Sequence, residues 1–416
     1  MSVTLPAQAW LTQAATHRVM DALVDAGGED CARFVGGCVR NALLRRPVSD
    51  IDIATTLTPD QVTAALLAAN IKAVPTGIEH GTVTAVADHK PFEITTLRRD
   101  VETDGRRAVV AFTRDWAQDA ARRDFRINAL YADRRGVVFD PTGGGLADLE
   151  AGAIVFVGDA ATRIREDALR ILRYFRFLAW YGRADADQAA LAACQALAPL
   201  IDGLSAERVA KELLTLLAAE DPRASVRLMA RTGVLAQVAP QARSLARFEA
   251  LVAIETEQLF TEDPLLRLAA LLPDEPQVGA TLADRLRLSN AQKERLIGAL
   301  GAEPGLVSWM SPRQVRQAVY RIGVEAFCDR VTLAWAGAAR PGAAIQWRAL
   351  LPLAQGWRRP SLPLSGEEIV AAGVPRGPLV GAVMREVEAW WVDSDFTLDK
   401  LSVVERLKSV VQGMVH

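Results

Sequence analysis

Residues 34–54 read FVGGCVRNALLRRPVSDIDIA, and the order of events in this stretch decides the fold of the N-terminal third. A short apolar run, Phe34-Val35, meets two glycines, Gly36 and Gly37, and then a helical pattern opens at Cys38. Glycines between a strand and a helix start let backbone N–H groups approach a phosphate closely, and Arg40 can add a fork of charged donors. The same residues also suit an ordinary glycine turn with a solvated arginine. Next comes Ser49-Asp50-Ile51-Asp52-Ile53-Ala54. In a strand, residues two apart share a face, so Asp50 and Asp52 stand side by side while Ile51 and Ile53 enter the core. Two adjacent carboxylates repel unless a cation bridges them, and hard oxygen ligands suit magnesium, which takes one or two carboxylates and completes its shell elsewhere. Acids fill 50 of the 416 positions, so an acid-x-acid doublet is common by chance and gains weight only from its surroundings.

Those surroundings add further candidates. Phe92-Glu93-Ile94-Thr95-Thr96-Leu97 reads as a strand with Glu93 among β-branched residues, a poor place for an unpaired acid and a plausible third ligand. In Arg122-Arg123-Asp124-Phe125-Arg126-Ile127-Asn128, Asp124 and Asn128 lie four apart, on one face if helical, with arginines beside them. That face could hydrogen-bond a ribose or belong to a salt-bridged helix. Glu166 to Arg176 reads as one helix carrying Asp167, Arg170, Arg173 and Arg176 at steps of three, with more arginine than Asp167 can neutralise. Such charge also fits a solvated face. Asp167 and Arg170 can jointly address a base edge. Arginine donates to cytosine O2 and N3 or to adenine N1, and the carboxylate accepts from the exocyclic amino group. Uracil and guanine leave polar groups unpaired, at about 1–3 kcal/mol each when buried.

Around these motifs the chain changes character once. Apolar residues from Pro6 to Ala26 recur at helical spacing and stop at Gly27-Gly28. Strand patterns follow at Asp50 to Ala54, Gly81 to Ala87, Phe92 to Leu97 and Val137 to Asp140, interrupted by helical patterns at Cys38 to Leu44 and Thr58 to Ala69. That mixture predicts an α+β head on a small sheet. After Asp140-Pro141-Thr142-Gly143-Gly144-Gly145 the pattern is helical almost throughout, apart from a possible strand at Ile154 to Val157. Breaks are expected near Asp221-Pro222, Asp263-Pro264, Pro304-Gly305, Pro341-Gly342 and Gly373 to Pro378.

Composition narrows the function classes. At 416 residues the chain is too long for one small module, and 50% hydrophobic content supplies large cores. A net charge of -2 excludes a globally basic nucleic-acid coat but permits a local basic face. Cys31, Cys38, Cys194 and Cys328 form no CxxC pair, which fits a reducing cytoplasm. The four histidines show neither an HD doublet nor zinc spacing, which disfavours histidine-based metal hydrolysis. No signal peptide or apolar spanning run is visible, so no membrane association is expected.

Taken in order, these elements resemble the class II tRNA nucleotidyltransferases, the CCA-adding enzymes, with bacterial poly(A) polymerases as relatives. The resemblance runs from about Phe34 to Leu217 through GGCVRNALL, SDIDIATT, the HGT turn at His80, FEITTLR, RRDFRINAL, DPTGGGLADL, EDALRILR and ERVAKELLTLL. It implies a nucleotidyltransferase head at residues 1–148, a helical neck for base recognition at 149–220, and a helical body and tail for tRNA at 221–416. It also implies template-independent addition of CCA to the 3′ end of tRNA from CTP and ATP, with two Mg2+ ions. Asp50 and Asp52 then match the metal-binding carboxylates, with Glu93 as third acid. Gly36, Gly37 and Arg40 match the triphosphate turn, and Arg123, Asp124 and Asn128 match nucleotide and ribose contacts. Asp167 and Arg170 match the amino-acid template, and Arg173 and Arg176 would hold phosphates. Arg98 to Phe112 is similar to the loop linked to the switch from CTP to ATP.

Departures from the family pattern are few. Asn41 replaces an Asp common after VR, Arg45 stands where Gly is frequent, and Leu97 stands where Phe is frequent. The C-terminal half is covered loosely, through Leu364 to Glu368 and Ala372 to Gly381, where the Gly377 turn suits an RNA phosphate or a plain connector. Trp390-Trp391 is expected in a core or interface. A poly(A) polymerase could share every head motif, and an idle RNA-binding protein is a third reading, disfavoured by the intact acids. Oligomeric state, monomer or homodimer, is open.

Overall fold

The computed structural model describes residues 3–78, 81–104, 107–302, 304–338 and 343–414. His80, Gly105, Arg106 and the Pro341-Gly342 break lie outside the described residues. The chain divides into two compact units, Met1–Pro240 and Gln241–His416.

In the first unit, α1 spans Ala14–Gly27 and stops at Gly28, whose φ of 88° suits a residue without Cβ. The helix begins later than the Pro6 expected from periodicity. Residues before it join the sheet instead: Thr4 bridges Val137, and Leu5 N–H donates to the Gly136 carbonyl at 2.8 Å. Trp10, whose indole meets Phe34 edge-on at 4.9 Å, supplies the apolar spacing that mimics a longer helix.

Strand β1 (Ala32–Val35), helix α2 (Gly37–Leu43), strand β2 (Asp52–Thr55) and helix α3 (Pro59–Ala68) follow. Thr58 and Gln61 cap α3 reciprocally, which fixes its start. Strands β3 (Lys72–Gly77), β4 (Thr82–Ala87) and β5 (Lys90–Thr96) form a meander whose last strand runs parallel to β2. A separate hairpin, β6 (Arg98–Asp104) with β7 (Arg107–Phe112), occupies the stretch read as a loop. Helix α4 (Trp116–Ala121) and a 3-10 turn at Arg126–Asn128 lead to β8 (Tyr131–Ala132) and β9 (Val138–Phe139). The seven-stranded mixed sheet has the order β3-β4-β5-β2-β1-β8-β9. Its core face takes Ile51, Ile53, Phe92 and Ile94, all buried, as period-two alternation requires.

The expected strand at Ile154 to Val157 is a single bridge between Phe156 and Phe125. Helices α5 (Gly145–Ala151), α6 (Ala160–Glu166), α7 (Leu169–Tyr181), α8 (Gln188–Leu197), α9 (Ala206–Leu217), α10 (Arg223–Arg231) and α11 (Val234–Val238) complete this unit. Gly145 is required where it stands: a Cβ there would lie 2.5 Å from the Arg126 carbonyl oxygen, so α5 could not pack against the 3-10 turn.

The second unit is helical: α12 (Leu245–Gln258), α13 (Pro264–Ala270), α14 (Pro276–Arg285), α15 (Asn290–Ala299), α16 (Pro312–Ile322), α17 (Val324–Gly337), α18 (Ala344–Gln355), α19 (Gly366–Ala371), α20 (Pro378–Asp393) and α21 (Lys400–Met414). Breaks at Asp263-Pro264, Pro304-Gly305 and Gly373 to Pro378 fall at helix boundaries, with Pro264 and Pro378 opening α13 and α20. Trp391 is buried beside Phe396, and its indole N–H donates to the Leu398 carbonyl, so it is core. No helix among the described residues is long and apolar enough to cross a membrane.

Candidate active site

The site gathers on the sheet face opposite the core. β2 begins at Asp52, so Asp50 precedes the strand, and the two acids do not sit as strand residues i and i+2. Asp50 is exposed and accepts a hydrogen bond from the Ser49 hydroxyl at 2.9 Å. Asp52 is half-buried and stands in register with Glu93 on the parallel neighbour β5. With Ile53 and Ile94 committed to the core, both carboxyl groups project from the other face. Burial pushes the Asp52 carboxyl up to about 6, and the charges of Glu93 and Asp50 add to that, while Arg123 opposes it. Asp52 is thus the electrostatic neighbour of both other sequence-derived acids. They do not form a ready-made cage, since no three Asp, Glu, His or Cys side chains among the described residues meet closely enough to hold an ion by themselves. A hard divalent cation that keeps several outside ligands fits such an open, all-oxygen, like-charged set.

The glycine turn lies beside these acids. Gly36 has a φ of 71° and carries the chain from β1 into α2. Arg123 Nη1 and the Asn128 carbonyl oxygen lie 3.8 Å from where a Gly36 Cβ would be, so a side chain would stand against both. Arg123 reaches the site on a fixed arm: its Nε donates to the Tyr131 hydroxyl at 3.0 Å and its Nη2 to Asp119 Oδ2 at 3.0 Å. Burial alone would push Asp119 up, but Arg123, Arg122 and the Tyr131 hydroxyl outweigh it and hold the carboxyl down at about 2. Asp119 also accepts the Arg98 N–H, which ties the start of the β6-β7 hairpin to the same carboxylate.

Arg40 is buried at 7% exposure, and its partners are neutral. Nε and Nη2 donate to Asn41 Oδ1, Nη2 also to the Tyr181 hydroxyl at 2.8 Å, and Nη1 to Asn128 Oδ1. Its guanidinium lies 4.2 Å from the centre of the Tyr181 ring. Burial lowers its proton affinity. Its direct hydrogen-bond partners are neutral, and Asp124 acts on it only without contact and against the like charge of Arg176, so this buried cation is short of an anion.

Asp124 and Asn128 meet as expected, Nδ2 donating to Asp124 Oδ1 at 3.0 Å, but through a bend and a 3-10 turn, not an α-helix. Asp124 Oδ2 accepts both Nε and Nη2 of Arg173 from α7. Arg173 and Arg176 then converge on Glu212 of α9, with Arg176 Nε at 2.5 Å from Oε2. Arg40, Asn128, Asp124, Arg173, Glu212 and Arg176 form one continuous polar seam from α2 to α9. The apparent arginine surplus of the neck is therefore met by carboxylates of other elements.

The segment read as one helix from Glu166 to Arg176 is two. α6 ends at Glu166, Asp167 is extended at φ −150° and ψ 105°, and α7 starts at Leu169. Asp167, one residue before the Ala168 N-cap of α7, accepts the Leu169 N–H at 3.1 Å, and its Oδ2 takes Arg208 Nη2 at 2.8 Å. Arg170 donates instead to Glu166 Oε2 at 2.6 Å and to the carbonyls of Arg163 and Arg122. The pair remains adjacent, with Arg170 N–H donating to the Asp167 carbonyl at 3.0 Å, but each side chain is held by a separate partner.

Sequence reasoning missed Asp119, Tyr131, Tyr181, Glu166, Arg208 and Glu212. Only Glu212 left a signal: it falls on the apolar stripe of α9, with Val209, Leu213 and Leu216, where a lone acid demands a partner.

A family model described as "Poly A polymerase head domain" matches residues 32–155, and one described as "Probable RNA and SrmB- binding site of polymerase A" matches residues 186–245. The chain is 32% identical over 386 residues to the mouse (Mus musculus) protein "CCA tRNA nucleotidyltransferase 1, mitochondrial", covering 90% of this chain and 86% of that one. It is 40% identical over 208 residues to a "CCA-adding enzyme" of Geobacillus thermodenitrificans, 49% of each chain. Among solved structures, the Bacillus stearothermophilus CCA-adding enzyme in complex with CTP superposes with a TM-score of 0.75 at 26% identity, over 96% of this chain and 98% of that one.

Proposed function

The chain belongs to the class II CCA-adding enzymes, the CCA tRNA nucleotidyltransferases, and we infer from that membership that it appends C, C and A to the 3′ end of tRNA. CTP and ATP are consumed and pyrophosphate is released. The observation that carries this reading is the pairing of Asp52 with Glu93 in register, with Arg123 alongside.

We assign residues 1–148 to catalysis, 149–220 to base recognition and 221–416 to the grip on tRNA. Asp50, Asp52 and Glu93 would hold divalent cations, which we take to be two Mg2+ ions. When bound, they supply acidification of the primer hydroxyl and neutralisation of the leaving phosphate. The primer 3′ oxygen forms its bond to the α-phosphorus as the bond from that phosphorus to the β-phosphate oxygen breaks. Arg40 and Arg123, held rigidly by their own partners, offer positive charge at the Gly36-Gly37 turn before the triphosphate arrives, which lowers the reorganisation needed at reaction. Asp124 and Asn128 orient the ribose through the hydrogen bond they already share. Arg173 and Arg176 keep the neck fixed against that ribose site and present charge to phosphate. Asp167 and Arg170 read the exocyclic amino edge shared by cytosine and adenine, once released from Arg208 and Glu166. We place the reaction in the cytoplasm, in keeping with four cysteines that are all unpaired.

The decisive assay supplies purified protein with tRNA ending at the discriminator base, CTP, ATP and Mg2+. Addition of three nucleotides supports the reading. Long A tails would identify a poly(A) polymerase, and no pyrophosphate release would leave an RNA-binding protein.

A further inference from the structure

Helix α2 ends at Leu43, and the loop that follows leads to Asp50. Its second residue, Arg45, has a φ of 55°, in the left-handed region. A residue with a Cβ is strained in that conformation, which glycine adopts freely. The Arg45 side chain is exposed, with no hydrogen bond or ion pair among the described residues. Arg46 is held in place: Nη1 donates to the Trp180 carbonyl at 2.7 Å, and the guanidinium lies 4.9 Å from the Tyr181 ring centre. Arg45, Arg46 and Pro47 line one side of a cleft of about 580 Å³, with Pro6, Ala7 and Gln8 also lining it. No acid lines this cleft, and neither does Gly36, Arg123, Asp124 or Asn128. Five residues of chain reach at most roughly 18 Å, so the cleft lies within that span of Asp50.

We propose that this cleft binds a phosphodiester of the RNA acceptor strand, with Arg45 as the principal contact and Arg46 as its fixed neighbour. The planar guanidinium fork matches phosphate oxygens, Gln8 is the only uncharged polar side chain of the lining while Pro6, Ala7 and Pro47 are apolar, and the opening to solvent admits a polymer. The nucleoside triphosphate has its own cations in buried Arg40 and half-buried Arg123, which leaves this cleft to the primer side. The inference rests on the tRNA-extending reading above.

Arg45→Gly is the discriminating variant. Glycine adopts the left-handed backbone without strain, so the fold is relieved, not threatened, by the change. Binding of tRNA lacking CCA is measured at several salt concentrations, alongside CTP incorporation. The expected result is about three- to tenfold weaker tRNA binding, a shallower dependence of log affinity on log salt by about one phosphate contact, and a KM for CTP within about twofold of wild type. Arg45→Lys should recover much of the salt dependence. Unchanged tRNA affinity, weaker binding with an unaltered salt slope, or a change confined to the KM for CTP each overturns the proposal. Failure of the wild-type protein to extend tRNA would instead overturn the function on which it rests.

Discussion

Arg173 closes a two-pronged contact on Asp124, 49 residues earlier in the chain, and so fastens α7 to the turn that carries Asn128. Asp124 is buried, and its carboxyl is held below the usual range against burial by Arg173 and Asn128. Arg173→Ala leaves that charge without its main partner. Removal of one member of a buried pair costs about 3–5 kcal/mol, and the partial exposure of Arg173 argues for a loss of roughly 2 kcal/mol here. Denaturant unfolding reads the loss, and the KM for both nucleotides should rise with it. Unchanged stability would mean that the contact is ornamental.

Asp52→Ala and Asp50→Ala should each abolish nucleotide incorporation while leaving tRNA binding nearly intact. Gel shift with tRNA and pyrophosphate release separate the two functions. Activity within about tenfold of wild type would refute the assignment of either acid.

Arg170→Ala removes the donors proposed to face cytosine and adenine. Discrimination against UTP and GTP should fall by about tenfold or more, while triphosphate binding changes less. Single-nucleotide incorporation with all four substrates measures the ratio, and unaltered fidelity would count against a base-reading role.

Asp119 gives a pH signature. Its carboxyl is held down at about 2 by Arg123, Arg122 and the Tyr131 hydroxyl, and the Arg98 N–H also faces it. A carboxyl with a depressed folded-state value stabilises the protein above its unfolded value near 4, and that stability drains away as pH falls from about 4 towards 2. The contribution is roughly 2 kcal/mol. Asp119→Asn should lose about that much at neutral pH and show a flatter stability profile between pH 4 and 2. A variant profile that parallels wild type would rule the linkage out.

The acids were legible because strand alternation is local: Ile53 and Ile94 identify the core face, so Asp52 and Glu93 must project from the other. The contact between Asp124 and Asn128 was also legible, though its geometry was not, because a 3-10 turn and an α-helix both bring residues three or four apart together. The split at Asp167 was hidden. Glu166-Asp167-Ala168-Leu169-Arg170 contains no proline or glycine, and at the break the Asp167 carboxylate accepts the Leu169 N–H, a local side-chain-to-backbone bond that competes with a continuous helix. The partners Glu212, Tyr181 and Arg208 come from distant segments, and no local spacing encodes which arginine each one meets.

The parallel pairing of β2 with β5 sets the order in which the molecule can mature. β3, β4 and β5 are successive antiparallel neighbours that can zip locally, whereas β2 joins β5 only after α3 and the whole meander have crossed over. Like-charged carboxylates must be pushed together at that closing step. A nascent or partly denatured chain would therefore display much of its hairpin structure to spectroscopy while remaining inert, and recovery of turnover on refolding should lag behind recovery of the sheet.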